Sequence, residues 1–333
     1  MARLPTPDDQ QWIVQHLESL VRTRGAAPFL EARLIEPSDE YFPGAWQPDA
    51  DGVRMLVERV LGYAGLGALK AHVVLHDREQ HDLLEGTGME RRAHFKGAAA
   101  WFDGLVDQTC LFGVVDEGLK NPEELVGTLC HEVAHAYRRF HRLETKGKRE
   151  EWLTDLTSVF LGFGVFVCNN AYRFRTREHL EGSKVMYGWS AKRIGYLPLE
   201  LLCFALAAQL VARGDRVGGR RVRRLLETNQ AAAFDKSCRY LQPHREVLRD
   251  MLGLASAPEG NVAPLPISRI VRRTQVPRGA LARLAFWSDA REICSNAACQ
   301  AVLPGFVTRC PQCRGRFDIA PVDDGDDEQD EAG

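Results

Sequence analysis

The chain has 333 residues, 45% of them hydrophobic and 26% charged, with a net charge of −2. That composition is ordinary for a globular protein and excludes collagen-like, low-complexity and wholly disordered classes. No apolar run reaches 18 residues, so no membrane span is expected; the longest stretches, Leu156–Cys168 and Leu199–Val211, read as buried core helices.

At the N-terminus, Met1 to Trp12 carries Pro5, Pro7, Asp8 and Asp9 and lacks the basic start and apolar centre of a secretory signal, so a cytoplasmic location is expected. Apolar residues recur at helical spacing over Gln10–Arg22 and Gly52–Leu61, and Pro37–Pro48 between them reads as a loop. Ala71–Leu75 and Thr109–Val115 are rich in β-branched and apolar residues and read as strands. Residues 1–118 are therefore an α/β part. Residues 119–255 turn mostly helical, from Asn121 to about Leu254. Ser256–Ser268, with Pro258, Gly260, Pro264 and Pro266, opens a linker and basic segment over 256–290. A cysteine module occupies 291–321. An acidic tail over 322–333, with seven acids between Asp323 and Glu331, reads as disordered.

Leaving the tail aside, 43 bases face 38 acids. The basic clusters at Arg213–Arg224 and Arg269–Arg283 carry no interleaved aromatics and read as solvated faces rather than nucleic-acid surfaces. Of nine cysteines, Cys110, Cys130, Cys168, Cys203 and Cys238 are scattered among apolar neighbours and read as small buried hydrophobes.

The central feature is His131-Glu132-Val133-Ala134-His135. Asn121 can cap the helix that carries it, Pro122 suits the first turn, and Glu123 and Glu124 complement the positive helix end. Leu125, Val126, Leu129, Val133 and Phe140 keep helical spacing. His131 and His135, four apart, project from one face and can bind one Zn²⁺. Glu132 sits about 100° round the helix, within reach of a water on that ion, whose proton it would take. The plain alternative is two surface histidines on an amphipathic helix.

A basic loop, Leu143 to Lys148, leads to Glu151-Trp152-Leu153-Thr154-Asp155, which opens an apolar helix running through Val167. Glu151 and Asp155 again share a face. The pair of helices resembles the gluzincin arrangement. That resemblance implies Glu151 as third zinc ligand and Asp155 as the carboxylate that fixes a ligand imidazole through its far N–H. Alternatively, both acids merely favour the helix N-terminus. His141 lies at the metzincin distance, and Ser183–Tyr187 weakly resembles a Met-turn, but Arg138 stands where metzincins need glycine. On a continuing helix His141 would point away. Leu129–His135, Leu153–Gly164 and Gly195-Tyr196-Leu197-Pro198 together resemble a group of bacterial zincin-like proteins, over about 70 to 110 residues.

The resemblance implies an α+β fold with a zincin-like metallopeptidase domain, and an endopeptidase acting on a peptide or protein substrate. Gluzincins present a Tyr or His to the developing oxyanion. Tyr196 is the leading candidate for that catalytic role, ahead of Tyr187, Tyr172 and His179. Thr109–Val115 or Ala98–Phe102 could serve as the edge strand that pairs with substrate.

Cys294-x4-Cys299 and Cys310-x2-Cys313, separated by ten residues and followed by Gly315, form two tight-turn pairs that can close a four-thiolate structural zinc site. One catalytic and one structural Zn²⁺ are thus expected. Such a zinc ribbon often contacts protein or nucleic acid. Two further readings stand open. One is a non-catalytic zincin-like scaffold that binds a partner. The other is a DNA-associated SprT-like protease, which the pairing with a ribbon resembles, although that family's downstream His-Gly ligand motif is missing.

Overall fold

A computed structural model describes residues 3–77, 99–181, 184–192, 195–254, 273–275, 291–294 and 302–304. The first helix, α1 (Pro7–Arg24), starts in a reciprocal cap: Thr6 accepts from the Asp9 amide, and Asp9 accepts from the Thr6 amide. A short α2 (Ala26–Glu31) and an Asp49-capped α3 (Ala50–Tyr63) follow.

Three strands form the first sheet: β1 (Lys70–His76), β2 (Ala100–Val106) and β3 (Thr109–Val115). Their order is β1-β3-β2, with β1 parallel and β2 antiparallel to β3. Asp107 and Gln108 both adopt positive φ, the primed-turn geometry that matches strand twist in a two-residue hairpin loop. The expectation that Thr109–Val115 could be an edge strand is corrected, because both its flanks are paired. The edges are β1 and β2; β2 takes in residues 100–102 of the other candidate segment and carries a bulge at Asp103.

The helical part contains α4 (Pro122–Phe140), α5 (Lys148–Phe160), α6 (Gly164–Ala171), α7 (Leu199–Arg213), α8 (Arg216–Leu225), α9 (Thr228–Leu241) and α10 (Arg245–Met251). Pro122 opens α4 and Asn121 caps it, the Asn121 side chain accepting from the Glu124 amide. The single helix expected from Glu151 to Val167 is instead two. Gly162, at φ 94°, breaks it, and a Cβ there would lie 2.1 Å from the Arg33 carbonyl oxygen. The crossing segment is pinned there by the Ile35 amide donating to the Gly162 carbonyl.

Within the stretch read as mostly helical, β4 (Arg173–Glu181) and β5 (Lys184–Lys192) form an antiparallel pair in continuous register. Residues 184–187, part of the segment that weakly resembles a Met-turn, are strand. A third sheet has the order β6 (Arg273–Gln275), β7 (Arg291–Cys294), β8 (Val302–Pro304). Cys294 ends β7; Cys299, Cys310 and Cys313, the linker 256–268 and the acidic tail lie outside the described residues.

The architecture is α+β, mostly helical, with small sheets. One apolar cluster runs from Trp12 to Leu254 and joins both parts of the chain. Helix α7 is buried on nearly every side; Cys110, Cys130, Cys168 and Cys203 are buried as expected, whereas Cys238 is half-buried. No described helix is long and apolar enough to cross a membrane.

Candidate metal centre

Helices α4 and α5 bring His131, His135 and Glu151 together, with one ligand atom from each lying within 4.8 Å of the others. Glu151 Oε2 lies 3.2 Å from His131 Nε2 and 3.1 Å from His135 Nε2. Among the described residues this is the group of three such side chains that could hold a metal ion.

The far side of each ring fixes its tautomer. His131 Nδ1 lies 2.7 Å from Asp155 Oδ1, and a carboxylate only accepts, so Nδ1 carries the proton. His135 Nδ1 lies 3.2 Å from the Thr154 hydroxyl, whose one proton goes to the Glu150 carbonyl at 2.8 Å. That hydroxyl therefore accepts, and His135 Nδ1 also carries the proton. Both Nε2 lone pairs then face the Glu151 carboxylate. Such an arrangement needs positive charge between the groups, either protons on the rings or one cation.

The electrostatics agree. Burial pushes His131 down, but Asp155, Glu151 and Glu132 outweigh it and hold the imidazole well above its ordinary value. Burial likewise opposes protonation of His135, and Glu150 and Glu151 raise it in spite of that. Glu151 is pulled down to about 2 by the two imidazoles, against its own burial. The donor set also fits an ion: ligand atoms about 2.1 Å from a tetrahedral zinc lie roughly 3.4 Å apart, close to the two observed edges.

Glu132 sits beside this cluster, and its Oε2 accepts from the Phe102 amide of β2 at 2.8 Å. Burial raises the carboxyl above its usual range, with Glu151 adding to it, although the two histidines and the Phe102 amide pull the other way. Asp155, 1% exposed, has a second task. Its Oδ2 accepts from the amides of Tyr196 at 3.0 Å and Leu197 at 2.8 Å. Held this way, the Tyr196 ring lies on His131, with centroids 5.6 Å apart and planes 28° from parallel. Tyr196 is 44% exposed, and burial followed by the Glu151, Glu132 and Asp155 charges pushes its phenol far up.

His141 stays out of the cluster. It ends α4 as its C-cap, and its Nε2 meets Arg24 at 3.2 Å. Tyr172 interacts elsewhere, its carbonyl accepting from Gln230. His179 and Tyr187 pair with Met186 and Glu178 along the β4–β5 ladder.

Three contributors are not singled out by sequence reasoning: Thr154, the Phe102 amide and Glu150. Glu150 receives a two-pronged pair from Arg138, at 2.8 and 2.9 Å, and its Oε2 also accepts from the Thr145 amide. Arg138 is nearly buried and also donates to the Leu143 carbonyl, so it clamps the loop between the two helices. A signal for this pair exists in the sequence: Arg138, three residues after His135, faces the site side of α4, and Glu150 neighbours Glu151. No protein-family profile, curated protein or solved structure matches the chain.

Proposed function

We propose that this chain is a zinc-dependent peptidase of the gluzincin type, with a zincin-like α+β domain that hydrolyses peptide bonds. The observation that carries the reading is the convergence of His131 Nε2, His135 Nε2 and Glu151 Oε2, with Glu132 beside them. Two imidazoles and a carboxylate are a catalytic zinc donor set, and the fourth position is left for water or substrate. Zinc held there supplies Lewis acidity, which acidifies a water and polarises a carbonyl.

The protein groups do the rest. Glu132 holds Oε2 on the Phe102 amide and takes the proton of the attacking water at Oε1. Its raised proton affinity suits a base that must later pass that proton to the leaving amine. Asp155 and Thr154 keep both ligand rings in the tautomer that presents Nε2. Tyr196 keeps its phenolic proton at neutral pH and is the donor assigned to the developing oxyanion. The edge of β2, which no described strand pairs and which carries the Phe102 amide that anchors Glu132, suits an extended peptide.

By spacing alone, Cys294, Cys299, Cys310 and Cys313 are assigned a second, structural zinc. The test is cleavage of an unbiased peptide library by the zinc-loaded chain. Activity is expected in the wild type and absent in Glu132→Gln with zinc still bound. A library left intact by the loaded wild type, or cleaved equally by Glu132→Gln, overturns the proposal.

A further inference from the structure

Helix α8 has a composition that its own stability does not explain. Arg216, Arg220, Arg223 and Arg224 fall within an arc of about 100° on a helical wheel, opposite the buried Val222. All four are exposed. Arg221, outside that arc, is engaged with Glu36 at 2.6 Å, and Arg223 with Asp235 at 2.7 Å. Among the described residues, no carboxylate lies within ion-pair distance of Arg216, Arg220 or Arg224.

These three are spaced i, i+4, i+8, so like charges repeat every turn and weaken the helix. Arg216 also puts a cation at the positive end of the helix. Gly218 and Gly219 lie mid-helix, where glycine is a poor helix former. Gly219 has negative φ and open space where a Cβ would stand, so neither backbone nor packing requires glycine there. On the wheel Gly219 flanks the arginine arc, at the place where a bulky ligand would come closest to the helix.

Against the solvated-face reading that the sequence alone suggests for Arg213–Arg224, we infer that the arginine face of α8 binds the phosphate backbone of nucleic acid without reading its sequence. A row of free guanidiniums about 6 Å apart suits a polyanion with repeated charges, and a bare glycine admits its backbone. An anionic membrane fits less well. A surface-lying helix needs Trp, Phe or Leu to insert beside its cations, and on α8 Val217 is the sole exposed apolar residue. The inference is independent of the metal centre and of the cysteine module.

The experiment is fluorescence anisotropy of the full chain with a labelled 20-base-pair duplex and a labelled 20-mer single strand, from 50 to 200 mM KCl. Wild-type binding is expected to fall steeply with salt. The triple variant Arg216→Ala/Arg220→Ala/Arg224→Ala is expected to bind at least tenfold more weakly. It should also lower the log–log salt slope by about 2 to 3, since each phosphate no longer neutralised takes away about 0.9. The triple lysine variant should retain most of the affinity, and a thermal melt should show all variants folded. No wild-type binding overturns the inference, as does an alanine variant with the wild-type slope. Vesicles with 30% anionic lipid serve as the third probe. Arginine-dependent binding to them, without binding to either nucleic acid, also overturns it.

Discussion

Replacing Asp155 by Asn changes one atom and removes one charge. The carboxylate serves two sides at once: Oδ1 takes the His131 Nδ1 proton, and Oδ2 takes the Tyr196 and Leu197 amides. An amide has one acceptor oxygen. If that oxygen stays on His131, the new NH₂ confronts two backbone donors. If it turns to the backbone, the NH₂ faces His131 Nδ1, which must then accept, and the ring proton moves to Nε2. The second arrangement sacrifices one charge-assisted bond, about 1.5–3 kcal/mol, and not two. The chain should therefore stay folded while His131 loses the lone pair it aims at Glu151. Metal affinity is expected to fall about tenfold to hundredfold, the cost usual for such an outer partner, or roughly 1.4–2.7 kcal/mol. Competition with a chromophoric zinc chelator measures this. The cysteine module is identical in both proteins, so the difference reads the histidine site alone. A folded Asp155→Asn chain with zinc affinity within twofold of wild type would refute the tautomer argument.

The metal assignment is checked by zinc content: two ions per chain in the wild type should fall towards one in Glu151→Ala, and an unchanged count would remove Glu151 from the ligand set. Arg138→Met takes the two-pronged cation from Glu150, leaving it the Thr145 donors, and should cost about 3–5 kcal/mol in urea unfolding, part of it recovered by adding Glu150→Gln; a loss under about 1 kcal/mol would contradict the clamp. Gly162→Ala, which meets both a positive φ and the Arg33 carbonyl, should cost about 2–4 kcal/mol, read as a lowered melting temperature. Burial holds His16 down to about 4, outweighing the pull of the Trp12 carbonyl, and Arg149 adds to the depression. A folded value below the unfolded 6.5 means stability that is present above pH 6.5 and lost as pH falls towards 4, about 2 kcal/mol of it by pH 5. His16→Gln should show a shallower acid decline than wild type in melts from pH 7 to 4.5, and parallel curves would rule the effect out.

The helix that carries His131 and His135 is legible because every local signal agrees: the Asn121 cap, Pro122, the first-turn acids and the apolar spacing that keeps Arg138 helical. Glu151 and Asp155 are legible from spacing and resemblance, since four residues on a helix fix a shared face whatever the surroundings. The break at Gly162 is hidden, since its apolar neighbours continue the helical pattern and its cause, the Arg33 carbonyl, lies far back in the chain. The β4–β5 pair escapes the helical reading because its alternation mixes charged with apolar residues, although Gly182-Ser183 between two β-prone runs is a turn signal in the sequence. Thr154 and the Phe102 amide depend on how helix, strand and loop meet in space, which no one-dimensional spacing encodes. Central rather than edge placement of β3 likewise follows from its parallel pairing with β1, across a long connection.

The crossing at Gly162 also bears on how the molecule is made. Arg213 reaches back 184 residues to the Phe29 carbonyl and 181 to that of Ala32, and Arg221 reaches 185 to Glu36. A growing chain cannot close these contacts until residues beyond 221 have left the ribosome. Helices α4 and α5 can form earlier, and the elbow after α5 can already close on the Ile35 amide, but Gln209 of α7 reaches the Phe160 carbonyl only later. Assembly should therefore be late and slow, as contacts so distant in sequence demand, and a fragment begun near residue 119 should emerge without a stable core.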